Sequence, residues 1–150
     1  MPEYEEKDTI NLKLMIALNR CWQSVQKNEK KVISEAGLTM AQFGVLELLY
    51  HKGPMRICTI IEKTLSSGGN LTVVIDNLEK QKLVKRKPDP ADRRAHLIHL
   101  TSAGRLLIEK LFPLHMANLQ DVLSILDQKE KLSLISLLKK LGISAQNKSS

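Results

Sequence analysis

The residues best equipped for chemistry lie in one stretch of the chain. Asp92, Arg93 and Arg94 follow Pro88-Asp89-Pro90, and Lys85, Arg86 and Lys87 precede it. Residues 80–110 carry nine basic and three acidic groups, against nine and ten in residues 1–79 and five and three in residues 111–150. Most of the net charge of +7 is therefore local. A local basic segment is the electrostatic footprint of a polyanion-binding surface. The plainer reading is a solvated face, with Asp92 and its neighbouring arginines as a surface ion pair contributing about 0–1 kcal/mol. An arginine on a thin, proline-framed loop can do more, because it can enter a narrow minor groove where negative potential concentrates.

Other reactive residues are sparse. His96 and His99 would point to opposite faces of a strand, and no carboxylate or cysteine cluster joins them, so no metal site is expected. His51 and His115 stand alone and read as surface or satisfied core histidines. Gly68-Gly69 lacks the Lys-Ser/Thr of a phosphate loop. No Ser-His-Asp arrangement is recognisable, and no cofactor is implied. Two cysteines exclude a disulfide scaffold. Cys58 reads as a small packing residue. Cys21 is the one thiol that could react, although a buried structural cysteine is the commoner case. No apolar run approaches the roughly 20 residues of a membrane helix. The acidic start, Met1-Pro2-Glu3-Tyr4-Glu5-Glu6, has no apolar signal segment, so the expected location is cytoplasmic.

The elements that must position these residues are mostly helical. Leu14, Leu18, Cys21, Trp22 and Val25 form one stripe of a long helix, which Gly37 ends near Ala36. Thr39-Met40-Ala41-Gln42 is a capping box opening a second helix through Phe43, Leu46, Leu49 and Tyr50, stopped by Gly53-Pro54. Ile57, Ile60 and Ile61 mark a short third helix. Ser66 and Ser67 are N-cap candidates for a fourth, whose Leu71, Val74, Ile75 and Leu78 face one way. Short helix, tight turn and second helix is the helix-turn-helix pattern. The period then changes. Leu83 to Lys87 and Ala95 to Leu100 read as two strands of a hairpin, with residues 88–94 as its basic turn. Thr101 caps a fifth helix that Pro113 should kink. Asp127-Gln128-Lys129-Glu130 opens a last helix through Leu134, Leu138 and Leu141, expected to stop at Gly142 with a frayed tail from Ser144.

If the apolar stripe of the fourth helix faces the core, its opposite face shows Gly69, Asn70, Thr72, Val73 and Asn77. Such a helix fits the major groove. Asn70 can pair with adenine, and the Thr72 and Val73 methyls can touch thymine methyls. Gly68 and Gly69 let the backbone approach a phosphate, and Ser67 beside them is a further candidate for DNA contact. Ordinary helix-surface polarity is the competing reading of Asn70 and Thr72.

The run from Leu78 to Arg86, the tip Pro88-Asp89-Pro90-Ala91-Asp92-Arg93-Arg94 and the segment Leu100-Thr101-Ser102-Ala103-Gly104 resemble the MarR family of bacterial regulators. The resemblance extends from about Leu12 to Leu141. Phe43 to Gly53 and the Gly69-Asn70-Leu71-Thr72 turn resemble the quinone- and peroxide-responsive branch. The chain departs from the usual pattern in lacking an arginine on the fourth helix, so guanine readout there is not expected. The resemblance implies a mainly α winged helix-turn-helix fold: a winged unit at about residues 38–101, and dimerisation helices at about 8–36 and 102–142, all in one domain of 1–150. It implies Arg94 in a minor groove, oriented by Asp92, with Arg93 and Lys87 on phosphates. It further implies a homodimer on an operator of double-stranded DNA with two half-sites. Release would follow binding of a small-molecule effector (phenolic, quinone or peroxide) or thiol oxidation. Trp22, Phe43 and Tyr50 are candidate lining for that effector, beside Cys21, although plain core aromatics are the commoner case.

The function expected is therefore a non-enzymatic, dimeric transcriptional repressor that reads a specific DNA sequence. The alternatives are an architectural nucleic-acid-binding protein without operator preference and a peroxide-reacting thiol enzyme using Cys21. Only the first reading requires one site to be bound about 10³–10⁷ more tightly than random duplex.

Overall fold

The computed structural model describes residues 5–64 and 68–149, apart from a few side chains within them. In chain order the elements are α1 (Glu6–Glu35), α2 (Met40–Lys52), β1 (Met55–Arg56), α3 (Ile57–Thr64), α4 (Gly68–Lys80), β2 (Val84–Asp89), β3 (Asp92–Leu100), α5 (Ser102–Val122) and α6 (Gln128–Ser149). They divide into two compact units, Met1–Asn118 and Leu119–Ser150.

Local chemistry sets the helix ends in the first unit. α1 closes in a Schellman turn. Gly37 takes φ +74°, its N–H reaches the Ser34 carbonyl at 2.9 Å, and the Leu38 N–H reaches Ile33 at 3.4 Å. Leu38 and Ile33 are both buried there. Thr39 Oγ1 accepts the Gln42 N–H at 3.2 Å while Gln42 Oε1 accepts the Thr39 N–H at 2.9 Å, completing the expected capping box. α4 ends in a second Schellman turn, with Lys82 rather than glycine at φ 59°. The Ser66 and Ser67 caps expected for α4 lie outside the described residues.

One core unites these elements. Leu71, Val74, Ile75 and Leu78 of α4 are all buried, against Val45, Leu46 and Leu49 of α2, Ile60 of α3, Val84 of β2 and Ile98 of β3. Each such side chain contributes roughly 1.5–3 kcal/mol on burial. α4 is thus fixed by its apolar stripe, and its other face is left outward.

The sheet differs from the expected two-stranded hairpin. Met55 and Arg56 add a third strand, pairing with Ile98 and Leu97, so β3 is central in the order β1-β3-β2. Two residues are too few to show a period, and their pairing is non-local. The hairpin is also longer than expected, leaving only Pro90 and Ala91 between the strands. Its register runs evenly from Val84↔Leu100 to Pro88↔His96 and then jumps to Asp89↔Asp92. Arg93, Arg94 and Ala95 therefore bulge from the ladder where Pro88 has no N–H to give.

Thr101 begins α5 as expected. Its Oγ1 accepts the Gly104 N–H at 3.0 Å and donates to the Lys82 carbonyl at 2.7 Å. Pro113 lies inside this helix. In the second unit, Asp127 and Glu130 exchange two 2.9 Å bonds that cap α6. α6 does not stop at Gly142: the helix continues through Ser144 to Ser149. A helix-interior glycine costs only about 1 kcal/mol relative to alanine, and no proline follows to end the helix. Leu132, Leu134, Ile135, Leu137, Leu138, Leu141 and Ile143 of α6 are all exposed, as are Ile10, Leu12, Leu14, Met15 and Ile16 of α1. No single helix among the described residues is long and apolar enough to cross a membrane.

Candidate nucleic-acid interface

The outward face of α4 carries Asn70, Thr72, Val73 and Asn77, all exposed, with Gly68 and Gly69 in its first turn. Val73 is 56% exposed and leaves an aliphatic tip on this face. Asn70, Val73 and Asn77 also border a cleft of about 350 Å³ with Thr39, Ala41 and Gln42 at the start of α2. Polar amide side chains, one aliphatic tip and a helix N-terminus thus converge on one surface. Ser67, expected beside them, lies outside the described residues.

The wing beside this helix is held by two arginines that sequence reasoning did not single out. Arg56 of β1 bonds Asp89 at the end of β2, with Nε and a terminal nitrogen at 2.7 and 2.6 Å from Oδ2. Asp89 is buried, and its Oδ1 accepts the Ala91 N–H at 2.9 Å across Pro90. The Ala91 N–H and the Arg56 guanidinium together hold the Asp89 carboxyl below the usual carboxylate range. Arg56 is raised in turn, chiefly by its hydrogen bond to Asp89. Arg86 of β2 forms the second tie. It reaches Asp76 of α4 at 2.5 Å and also pairs with Glu79, whose Oε1 accepts the Arg86 backbone N–H at 3.1 Å. These contacts raise the Arg86 pKa, the Asp76 bond most of all.

At the tip, Asp92 Oδ1 accepts the backbone N–H of Arg94 at 3.0 Å. Asp92 therefore shapes the tip through the Arg94 main chain rather than by gripping its guanidinium. Its other oxygen lies 4.0 Å from Arg56. Arg94 is exposed and so is Lys87; the Arg93 side chain is outside the described set. Burial, followed by the charges of Lys87 and Lys85, lowers the pKa of His99.

The four residues expected to line an effector site do not come together. Phe43 is buried in the core, its ring 4.9 Å from His115. Tyr50 is half-buried under Arg105, whose guanidinium lies 5.6 Å from the ring centre. Trp22 is 59% exposed and Cys21 is exposed on α1. Cys58 is also exposed, not packed. Trp22 stands two turns before Glu29 on the same side of α1; Glu29 meets His115 at 3.7 Å, whereas α1 is left uncovered around Trp22 and Cys21. A groove in this unit runs instead along another stripe of α2. It has a volume of about 800 Å³, and its lining includes Gln26, Met40, Gly44, Glu47, His51, Lys52, Lys63 and Leu71. Among the described residues no group of three or more His, Cys, Asp or Glu is placed to hold a metal.

A helix-turn-helix whose second helix presents an uncovered polar face, flanked by a basic antiparallel wing, defines a winged-helix DNA-binding protein. The chain belongs to the MarR family, which it matches over residues 38–96. It is 38% identical over 136 residues to the HTH-type transcriptional regulator MhqR of Bacillus subtilis, a match spanning 91% of this chain and 94% of the relative. Among solved structures it resembles Bordetella bronchiseptica BpsR, described in terms of regulation of its DNA binding by 6-hydroxynicotinic acid. That likeness has a TM-score of 0.78 at 30% identity, covering 87% of this chain and 98% of that one. It also resembles a mutant of Escherichia coli MarR complexed with operator DNA, with a TM-score of 0.79 at 26% identity, covering 93% and 99%. The protein is a DNA-binding transcriptional regulator, and these relatives are regulators rather than enzymes.

Proposed function

We propose that the protein is a homodimeric repressor that acts in the cytoplasm on a two-half-site operator and leaves it when a small molecule binds. The observation that carries this reading is the pairing of an outward α4 face with a locked, arginine-bearing wing. α4 enters the major groove, with Asn70 on a base edge and Thr72 and Val73 on thymine methyls. Gly68 and Gly69 allow close approach to a phosphate, and Asn77 lies further along the same face. Arg94 enters the adjacent minor groove, while Lys87 and Arg93 meet phosphates.

The apolar residues left exposed on α1 and α6, Leu14, Leu134, Leu138 and Leu141 among them, support a second copy as their cover. Two recognition helices then address sites about one DNA turn apart. The effector seats in the α2 groove, where Leu71 at the start of α4 forms part of the wall. A ligand there shifts the population toward an α4 placement that no longer fits the operator. The test is binding to the DNA upstream of the protein's own gene, repeated with phenolic acids, quinones and organic hydroperoxides. Release is expected to persist in Cys21→Ser and Cys58→Ser and to weaken in Gly44→Leu, which fills the groove. Release lost only in a cysteine variant would replace non-covalent control by thiol modification. Absence of any preferred site in that DNA would count against the repressor reading.

A further inference from the structure

Arg86 sits between Lys85 and Lys87 in the most basic run of the chain, where charge counting would place it on a phosphate. Its geometry is different. The guanidinium is turned from the wing toward α4, bonded to Asp76 and paired with Glu79. Its own backbone N–H is taken by Glu79. Asp76 and Glu79 are the two acidic residues of α4, so one side chain from β2 engages every carboxylate on that helix. The planar, forked guanidinium suits this two-carboxylate grip, which a single ammonium cannot reproduce.

We propose that Arg86 is a positioning residue for operator recognition: it fixes the recognition helix relative to the wing, so that α4 and Arg94 engage adjacent grooves in register, and it does not contact DNA. This rests on the reading of α4 as the recognition helix. Two readers on one duplex act together only when held within about 0.5 Å and 10–20° of the productive geometry. The tie also shields the acidic side of α4 from the phosphates that the basic wing attracts.

The test is the ratio of operator affinity to random-duplex affinity, measured for wild type, Arg86→Gln, Arg86→Lys and the double variant Asp76→Asn/Glu79→Gln. Global destabilisation lowers the active fraction equally for both DNAs, so the ratio does not report it. The double variant removes two negative charges per protomer. Charge alone would strengthen both kinds of binding. The positioning role predicts opposite signs: random-duplex binding rises, operator binding falls, and the ratio drops by about tenfold or more, against the 10³–10⁷ typical of specific readers. Arg86→Gln lowers the ratio comparably, and Arg86→Lys does not restore it. Operator and random binding rising together in the double variant would overturn the proposal. So would an unchanged ratio in Arg86→Gln with both affinities reduced, the signature of a phosphate contact. A wild-type protein with no preferred site at all would instead overturn the reading of α4 itself, and the inference with it.

Discussion

Close packing at Gly104 sets the size of one substitution's effect. A Cβ built there would lie 2.0 Å from the Leu83 carbonyl oxygen, 2.9 Å from its carbon and 3.3 Å from Leu100 Cδ2. The oxygen cannot retreat freely, because it accepts the Thr101 N–H at 3.0 Å and Thr101 Oγ1 at 3.2 Å. Relief requires the start of α5 to move about an ångström away from β2, which also strains the Thr101 cap on the Gly104 N–H. Loss of the cap costs about 1 kcal/mol. Overpacking against backbone adds roughly 1–3 kcal/mol. Gly104→Ala should therefore destabilise the protein by about 2–4 kcal/mol, a large share of the 5–15 typical of a domain. Thr101→Ala, which loses the cap without the clash, should cost about 1 kcal/mol. Urea denaturation followed by circular dichroism measures both. If Gly104→Ala lies within about 0.5 kcal/mol of wild type, α5 is not seated against the wing as closely as described.

Arg94→Ala should weaken operator binding by about 1–3 kcal/mol in a fluorescence titration. Asp92→Ala should weaken it as well despite removing a negative charge, because the tip loses its bond to the Arg94 N–H; tighter binding would show that Asp92 merely repels DNA. His99 has a lowered pKa, so the unfolded chain takes up its proton first. The stability due to neutral His99 is full above the ordinary value of 6.5 and is lost as pH falls through that value toward the folded one. Thermal melts from pH 8 to 5.5 should show a fall in wild type that His99→Gln reduces; equal slopes would refute the assignment. Deleting residues 132–150 should abolish the dimer and tight operator binding together. Sedimentation of the intact protein as a monomer at micromolar concentration would sink the dimer itself.

What could be read from the sequence was what is local or periodic. Thr39 and Gln42 announce the start of α2, Asp127 and Glu130 that of α6, and the four-residue stripe of α4 fixes its inward face and so its outward one. The three-residue bulge carrying Arg94 was only half legible: the prolines mark a turn, but the register jump at Pro88 depends on the partner strand. The Arg56–Asp89 and Arg86–Asp76/Glu79 ties were not read, because they join residues 33, 10 and 7 positions apart on different elements. A signal existed for the second tie, since Asp76 and Glu79 stand i, i+3 on one side of α4 and a basic strand follows. The groove along α2 was not read either: its lining comes from four helices and mixes Ala41 and Gly44 with Gln26, Glu47, Lys63 and Leu71, residue types that carry no shared signature in the sequence.

The central claim is that two copies of α4 and its wing hold one operator. Hydroxyl-radical footprinting on the preferred site tests it most directly, with wild type and Arg94→Ala compared at matched occupancy. Two protected patches about one helical turn apart are expected, each flanked by minor-groove protection that disappears in Arg94→Ala. A single uninterrupted patch, or flanking protection that survives the loss of Arg94, would contradict it.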